Sequence, residues 1–312
     1  MAQRNATFDI MKGMGILLVV AAHTYEGGLR ALLTGFLMPL FFIVSGHFYK
    51  LRPLSEQLKQ DTRRLLLPYL LIVVSTMLAG TLKDLATGHE ARLFLSTLYD
   101  CTTPAWFLPA LFGARAIFNI VLRHCKHYLL VSFAVSSVPT LLAFYVQMPT
   151  FLSIASAVNA VIFVAVGYAF RQQQWEQALD RHLPVAALVA AVSWFVSATW
   201  SDADIHFCKF SLWVADYLGV CGATYLFFLT GRLIDKHAAK TGRVLALLGF
   251  YSFVIYSYHA IEYSFPSWHQ LIPVTDTALR THCIYLCRVV MACLATYATT
   301  KIGVLRRIYF YK

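Results

Sequence analysis

Ten apolar runs of roughly 20 residues, parted by polar joints, constrain this chain more than any other feature of it. They lie near 8–26, 31–49, 65–82, 104–122, 128–146, 151–170, 183–200, 209–230, 244–261 and 281–300. A helix rises 1.5 Å per residue, so about 20 apolar residues match the ~30 Å hydrocarbon core of a bilayer. With 59% apolar residues, 13% charged residues and a mean hydropathy of +0.62, the chain is too apolar for a soluble domain of ordinary composition. The expectation is an all-α integral membrane protein, a bundle of about ten transmembrane helices forming a single domain over residues 1–312. No linker, internal repeat or low-complexity tract interrupts it.

The net charge of +11 follows the positive-inside rule. With the N-terminus in the cytoplasm, the inner segments hold 18 of the 26 cations, the outer segments five, and Lys12, Arg115 and Arg288 fall within spans. Both termini are then cytoplasmic. Cations dispersed over short loops form no single patch, which argues against nucleic acid as a partner. Seven cysteines show no zinc spacing, and no metal is expected. Cys101 and Cys208 both fall in outer loops, where pairing is chemically open. The first run also imitates a signal peptide. Against that, Asp9 sits poorly in a leader, and cleavage after Val20-Ala21-Ala22 would remove Lys12.

The first run carries the strongest chemical signal. Lys12 and His23 are eleven residues apart, which brings them within about 20° of the same helix face and roughly 16 Å apart along the axis. Ionisable groups at membrane depth are costly and face polar interiors or cavities. Glu26-Gly27-Gly28-Leu29-Arg30 reads as a tight turn that makes the first two helices antiparallel neighbours. Pro39 and Ser45-Gly46 either pack the second helix closely or shape a cavity. Residues 50–64 form an amphipathic inner connection. In it Arg64 serves either as a topology anchor or as a phosphate ligand, guanidinium being a planar fork of donors. Arg115 needs a partner inside the membrane, with Asp216 or a donor phosphate as candidates. Ser201-Asp202-Ala203-Asp204-Ile205-His206 reads as solvated charge, with metal binding as the sharper alternative. His259 and Glu262 share a helix face, and the 263–280 loop, with Trp268 and His269, suits a lid.

These segments resemble the membrane-bound acyltransferase-3 family in the order the family shows. The resemblance rests on Asp9-x-x-Lys12-Gly13, the Lys12-x10-His23 spacing, Met38-Pro39-Leu40-Phe41-Phe42-Ile43-Val44-Ser45-Gly46, Arg63-Arg64-Leu65-Leu66-Leu67-Pro68-Tyr69, Trp106-Phe107-Leu108-Pro109-Ala110-Leu111-Phe112, and Ser252-Phe253-Val254-Ile255-Tyr256 with His259. The nearest likeness is to the branch that includes fucose-O-acetylase-like enzymes, from which Leu37 and His47 depart. The resemblance implies acyl transfer from acyl-CoA, most simply acetyl-CoA, to a glycan or lipid-linked sugar of the bacterial cell envelope. It also implies a location in the inner membrane, with no permanently bound cofactor.

Such a reaction needs a base for the hydroxyl proton and a dipole for the developing oxyanion. The candidate catalytic residues are His23, as base, and Lys12, steering the donor, with Glu26 or a polar neighbour orienting the imidazole. Candidate donor- or substrate-binding residues are Asp9, Ser45, Arg64, Trp106, Arg115, His259 and Glu262. No Gly-x-Ser-x-Gly elbow is present to supply a serine nucleophile. A covalent acyl-His23 route stays open. The rival readings are a proton-coupled secondary transporter, with His23, His259 and Glu262 as a relay, and a silent membrane scaffold.

Overall fold

The computed structural model describes residues 5–87, 105–147, 153–262 and 268–310; the side chains of Leu29, Ala31, residues 82–87, His269 and Gln270 lie outside the description. Among the described residues the chain is helical throughout, with one isolated bridge between Asp204 and Lys209. The helices are α1 (Ala6–Ala22), α2 (Gly28–His47), α3 (Leu54–Asp61), α4 (Leu67–Thr87), α5 (Phe107–His124), α6 (Tyr128–Ala143), α7 (Ile154–Asn159), α8 (Val161–Gln172) and α9 (Trp175–Asp180). Then follow α10 (Leu183–Trp200), α11 (Val214–His237), α12 (Ala239–Phe250), α13 (Ser252–Glu262), α14 (Trp268–Leu271), α15 (Thr277–Lys301) and α16 (Gly303–Tyr309).

Each of the ten apolar runs coincides with a helix or a broken helix. By length and composition, five helices are able to cross a membrane, or six if the bent pair α12–α13 is one span. The expected count of about ten is not reached on that measure, for identifiable reasons. The α1 helix has only 17 residues and contains Asp9 and Lys12. The apolar part of α2 begins after Arg30, and α6 is 16 residues long. The α5 helix carries Arg115, Asn119 and Arg123. A second difference lies at Tyr251, where the expected continuous helix over 244–261 bends by 64° between α12 and α13. Pro39 lies inside α2 without ending it.

Apolar rows face outward, as expected where the solvent is lipid. Leu70, Val74 and Leu78 form such a row on α4, and Val185, Leu188, Val192 and Phe195 another on α10. On α15 the row is Leu286, Val290, Leu294 and Tyr297. The chain is a multi-pass membrane protein. At its centre α1 is apolar around most of its circumference, with Phe8, Ile10, Met11, Ile16, Val19 and Val20 buried. Close helix contact, and not a hydrophobic drive, holds helices together in lipid, so small residues set the crossings. Gly13 and Gly249 face each other across α1 and α12. A Cβ on Gly13 would run into the Leu245 carbonyl, and one on Gly249 into the Asp9 carbonyl. Gly46 and Gly167 do the same for α2 and α8, against Val164 and Ile43.

Candidate active site

Two cavities lie end to end along α1. One, about 200 Å³, is lined by Lys12, Ile16 and Val19 of α1, by Met38, Phe41, Val44 and Ser45 of α2 and Phe48 that caps it, and by residues of α5 and α13. The other, about 370 Å³, is lined by Val19, Ala22 and His23, by Thr34, Leu37 and Met38, and by Tyr256, His259 and Ala260. Lys12, Ile16, Val19 and His23 follow one another at steps of four, three and four, the rise of a single helix face. Thr34, Met38, Phe41 and Ser45 do likewise on α2. Val19, Met38 and Tyr256 line both cavities and form the waist between them.

At the end of α1, His23 caps the helix, exposed to its cavity. Its Nδ1 lies 2.8 Å from the Val19 carbonyl. A carbonyl only accepts, so Nδ1 carries the proton and the neutral ring keeps its lone pair on Nε2. The group seated on the imidazole is thus a backbone carbonyl of α1, where the sequence had offered Glu26 or a polar neighbour; Glu26 is exposed. The ring of His259 stands edge-on to that of His23, 5.2 Å between centroids. His259 Nδ1 meets Glu262 Oε2 at 3.1 Å, and the Trp268 indole N–H donates to Glu262 Oε1. Arg288 Nε lies 3.2 Å from Glu262, while its Nη1 donates to the His23 carbonyl at 2.7 Å and to Thr24 Oγ1 at 3.0 Å. One guanidinium thus ties the end of α1 to the carboxylate that holds His259, where a cation also complements a helix C-terminus. Arg288 satisfies the same in-span-cation rule that singled out Arg115, yet the sequence reading gave it no role.

At the other end, Lys12 pairs with Asp9 at 2.7 Å and points its stem along the smaller cavity. Ser45 lines that cavity and accepts from Arg115 Nη1 at 2.9 Å. The counter-ion of Arg115 is Asp61, 2.8 Å from Nε and 5% exposed, and not Asp216. Asp216 is buried elsewhere, accepting from Ser197, Ser201 and the Leu212 amide. Behind Arg115 the network continues through Gln57, Tyr49 and Asn119, which join α3 to α5. Arg64 is exposed in the π turn after α3 and lines neither cavity.

In the loop between α10 and α11, read from the sequence as solvated charge over residues 201–206, Asp202 is exposed as expected, but Asp204 and His206 are not. Asp204 and His206 line the larger cavity with Arg30 and Trp106. The loop closes on itself through the Asp204–Lys209 bridge, and Ser156 Oγ donates to the His206 carbonyl at 2.9 Å. His206 packs on Trp106, 4.6 Å between ring centroids, so Trp106 sits at the His23 end of the path. Burial lowers the pKa of His206, with Asp204 working in the opposite direction. Among the described residues no three His, Cys, Asp or Glu side chains converge as a metal site. Cys101, Pro266 and residues 263–267 of the expected lid lie outside the described residues, while Trp268 belongs to the His259–Glu262 cluster.

An imidazole pair beside one cavity, His259 buried and His23 open to it, and a lysine lining the other suit transfer of a group between the two. The sequence model of the acyltransferase-3 family, described as an acyltransferase domain, matches residues 5–301, and the chain belongs to this family. It is an enzyme that transfers acyl groups, a membership that sets aside the transporter and scaffold readings. No curated protein and no solved structure matches the chain.

Proposed function

We propose that this acyltransferase moves an acyl group, acetyl in the simplest case, from acyl-CoA to a hydroxyl of a cell-envelope glycan or lipid-linked sugar. The observation that carries this reading is the pair of cavities, one lined by Lys12 and the other by His23, that share Val19, Met38 and Tyr256. The protein sits in a bacterial inner membrane with both termini cytoplasmic, its shorter apolar helices completing about ten passes. Lys12 then steers the anionic head of the donor from the cytoplasmic side, assisted by Asp9, Ser45, Arg115 and, outside both cavities, Arg64. A hydroxyl presented beside Trp106 loses its proton to His23 Nε2 as its oxygen attacks the thioester carbon. The C–O bond forms, the C–S bond breaks, and the proton leaves on the CoA thiol. His259, held by Glu262, lies edge-on against the His23 ring and helps to keep it in place. Covalent acylation of His23 before attack by the hydroxyl would use the same geometry.

The test is transfer from labelled acetyl-CoA by membranes containing the protein, with label in glycan and bound CoA followed separately. Wild type labels glycan and binds CoA. Binding without any glycan label overturns the acceptor, and absence of CoA binding overturns the donor.

A further inference from the structure

The lining rows of α1, α2 and α13 pass from one cavity to the other at Val19, Met38 and Tyr256. Given the donor and base positions proposed above, the acyl group travels through this waist ahead of its thioester. We infer that the waist selects the acyl group, passing short uncharged acyl chains and rejecting longer or carboxylate-bearing ones.

The chemistry of the three side chains supports this. Val19 is 3% exposed and branched at Cβ, so its χ1 is fixed by the helix. Tyr256 is 9% exposed, and its hydroxyl is hydrogen-bonded to the Phe107 backbone, which holds the ring in place. Both are rigid walls. Met38 is only partly buried and unbranched, so it is the side of the waist able to yield. None of the three offers a charge to a passing carboxylate, and moving an ionised group through apolar surroundings without a partner is strongly disfavoured. A succinyl group meets that barrier, whereas an acetyl group is merely small.

The inference rests on the donor and base assignment, so its test has two arms. In the first, the purified full chain in lipid nanodiscs receives acetyl-, butyryl- and succinyl-CoA. Wild type transfers acetyl, and Met38→Ala raises the butyryl-to-acetyl ratio roughly tenfold, the scale at which a pocket senses a methylene or two. Met38→Trp stops transfer while CoA binding stays within about threefold. An unchanged ratio in Met38→Ala, or succinyl moved as fast as acetyl by wild type, overturns the inference. The second arm needs no acyl transfer. In sealed vesicles, Ser45→Cys in a background with the native cysteines replaced meets a charged thiosulfonate reagent confined to the His23 side. The expected result is slow labelling that speeds up roughly tenfold with Met38→Ala added. Equal rates overturn the waist, whatever the first arm shows; loss of all acyl transfer with a working waist overturns the proposed function alone.

Discussion

Val19 holds His23 in two ways. Its carbonyl fixes the imidazole Nδ1 at 2.8 Å, and its side chain forms one wall of the waist that leads to that ring. The orientation of the base is therefore written in part into the backbone of α1, four residues before it. Replacing His23 with Asn or Gln should lower transfer by about 10² to 10⁴, the usual worth of a positioned general base. CoA binding and membrane insertion should stay intact. Rates and CoA affinity measured on the same preparation check this.

Glu262 joins His259, Trp268 and Arg288. In Glu262→Gln the guanidinium of Arg288, 12% exposed, loses its counter-charge. A broken buried pair costs about 3–5 kcal/mol, more than the pair contributes when intact, because one charge is left uncompensated. Thermal unfolding should show the loss, and Arg288→Met combined with Glu262→Gln should recover part of it. A double variant as unstable as the sum of the singles would contradict a coupled pair.

How much of this was legible in the sequence depends on the span over which each contact acts. The Lys12–His23 face was readable because helical periodicity is local. The motif likewise put Trp106 among the candidates, and it lines the larger cavity. The counter-ion of Arg115 was not: Asp61 lies 54 residues away on a short surface helix, and no spacing rule links it to α5. Asp204 and His206 read as solvated because polarity alone does not tell an outward loop from one folded over a cavity. The break at Tyr251 hides inside a run whose hydropathy is unbroken, since a 64° bend needs no polar residue to announce it.

The Arg115–Asp61 pair predicts a structural and not a chemical loss. Asp61→Ala should destabilise by about 3–5 kcal/mol, for the same reason of an uncompensated charge. Arg115 would then turn fully to Ser45 at the smaller cavity, so the Michaelis constant for the donor should change while the pH dependence of the His23 step stays put. Denaturation curves and steady-state rates separate the two effects.

Gly13→Ala would place a methyl group into the Leu245 carbonyl, backbone that has no room to yield. The expected outcome is separation of α1 from α12 and loss of folded protein, on the scale of overpacking at about 1–3 kcal/mol or more. Gly80→Ala, which meets nothing within 4 Å, is the control and should leave folding and activity unchanged. Yield and melting temperature in matched detergent test the pair.

The most direct measurement of the central account is single-turnover transfer from labelled acetyl-CoA in wild type, Lys12→Ala and His23→Ala, with CoA binding measured beside it. The path predicts a split: Lys12→Ala weakens CoA binding, and His23→Ala binds CoA normally yet leaves the glycan unlabelled. Glycan labelling by His23→Ala at the wild-type rate would contradict it.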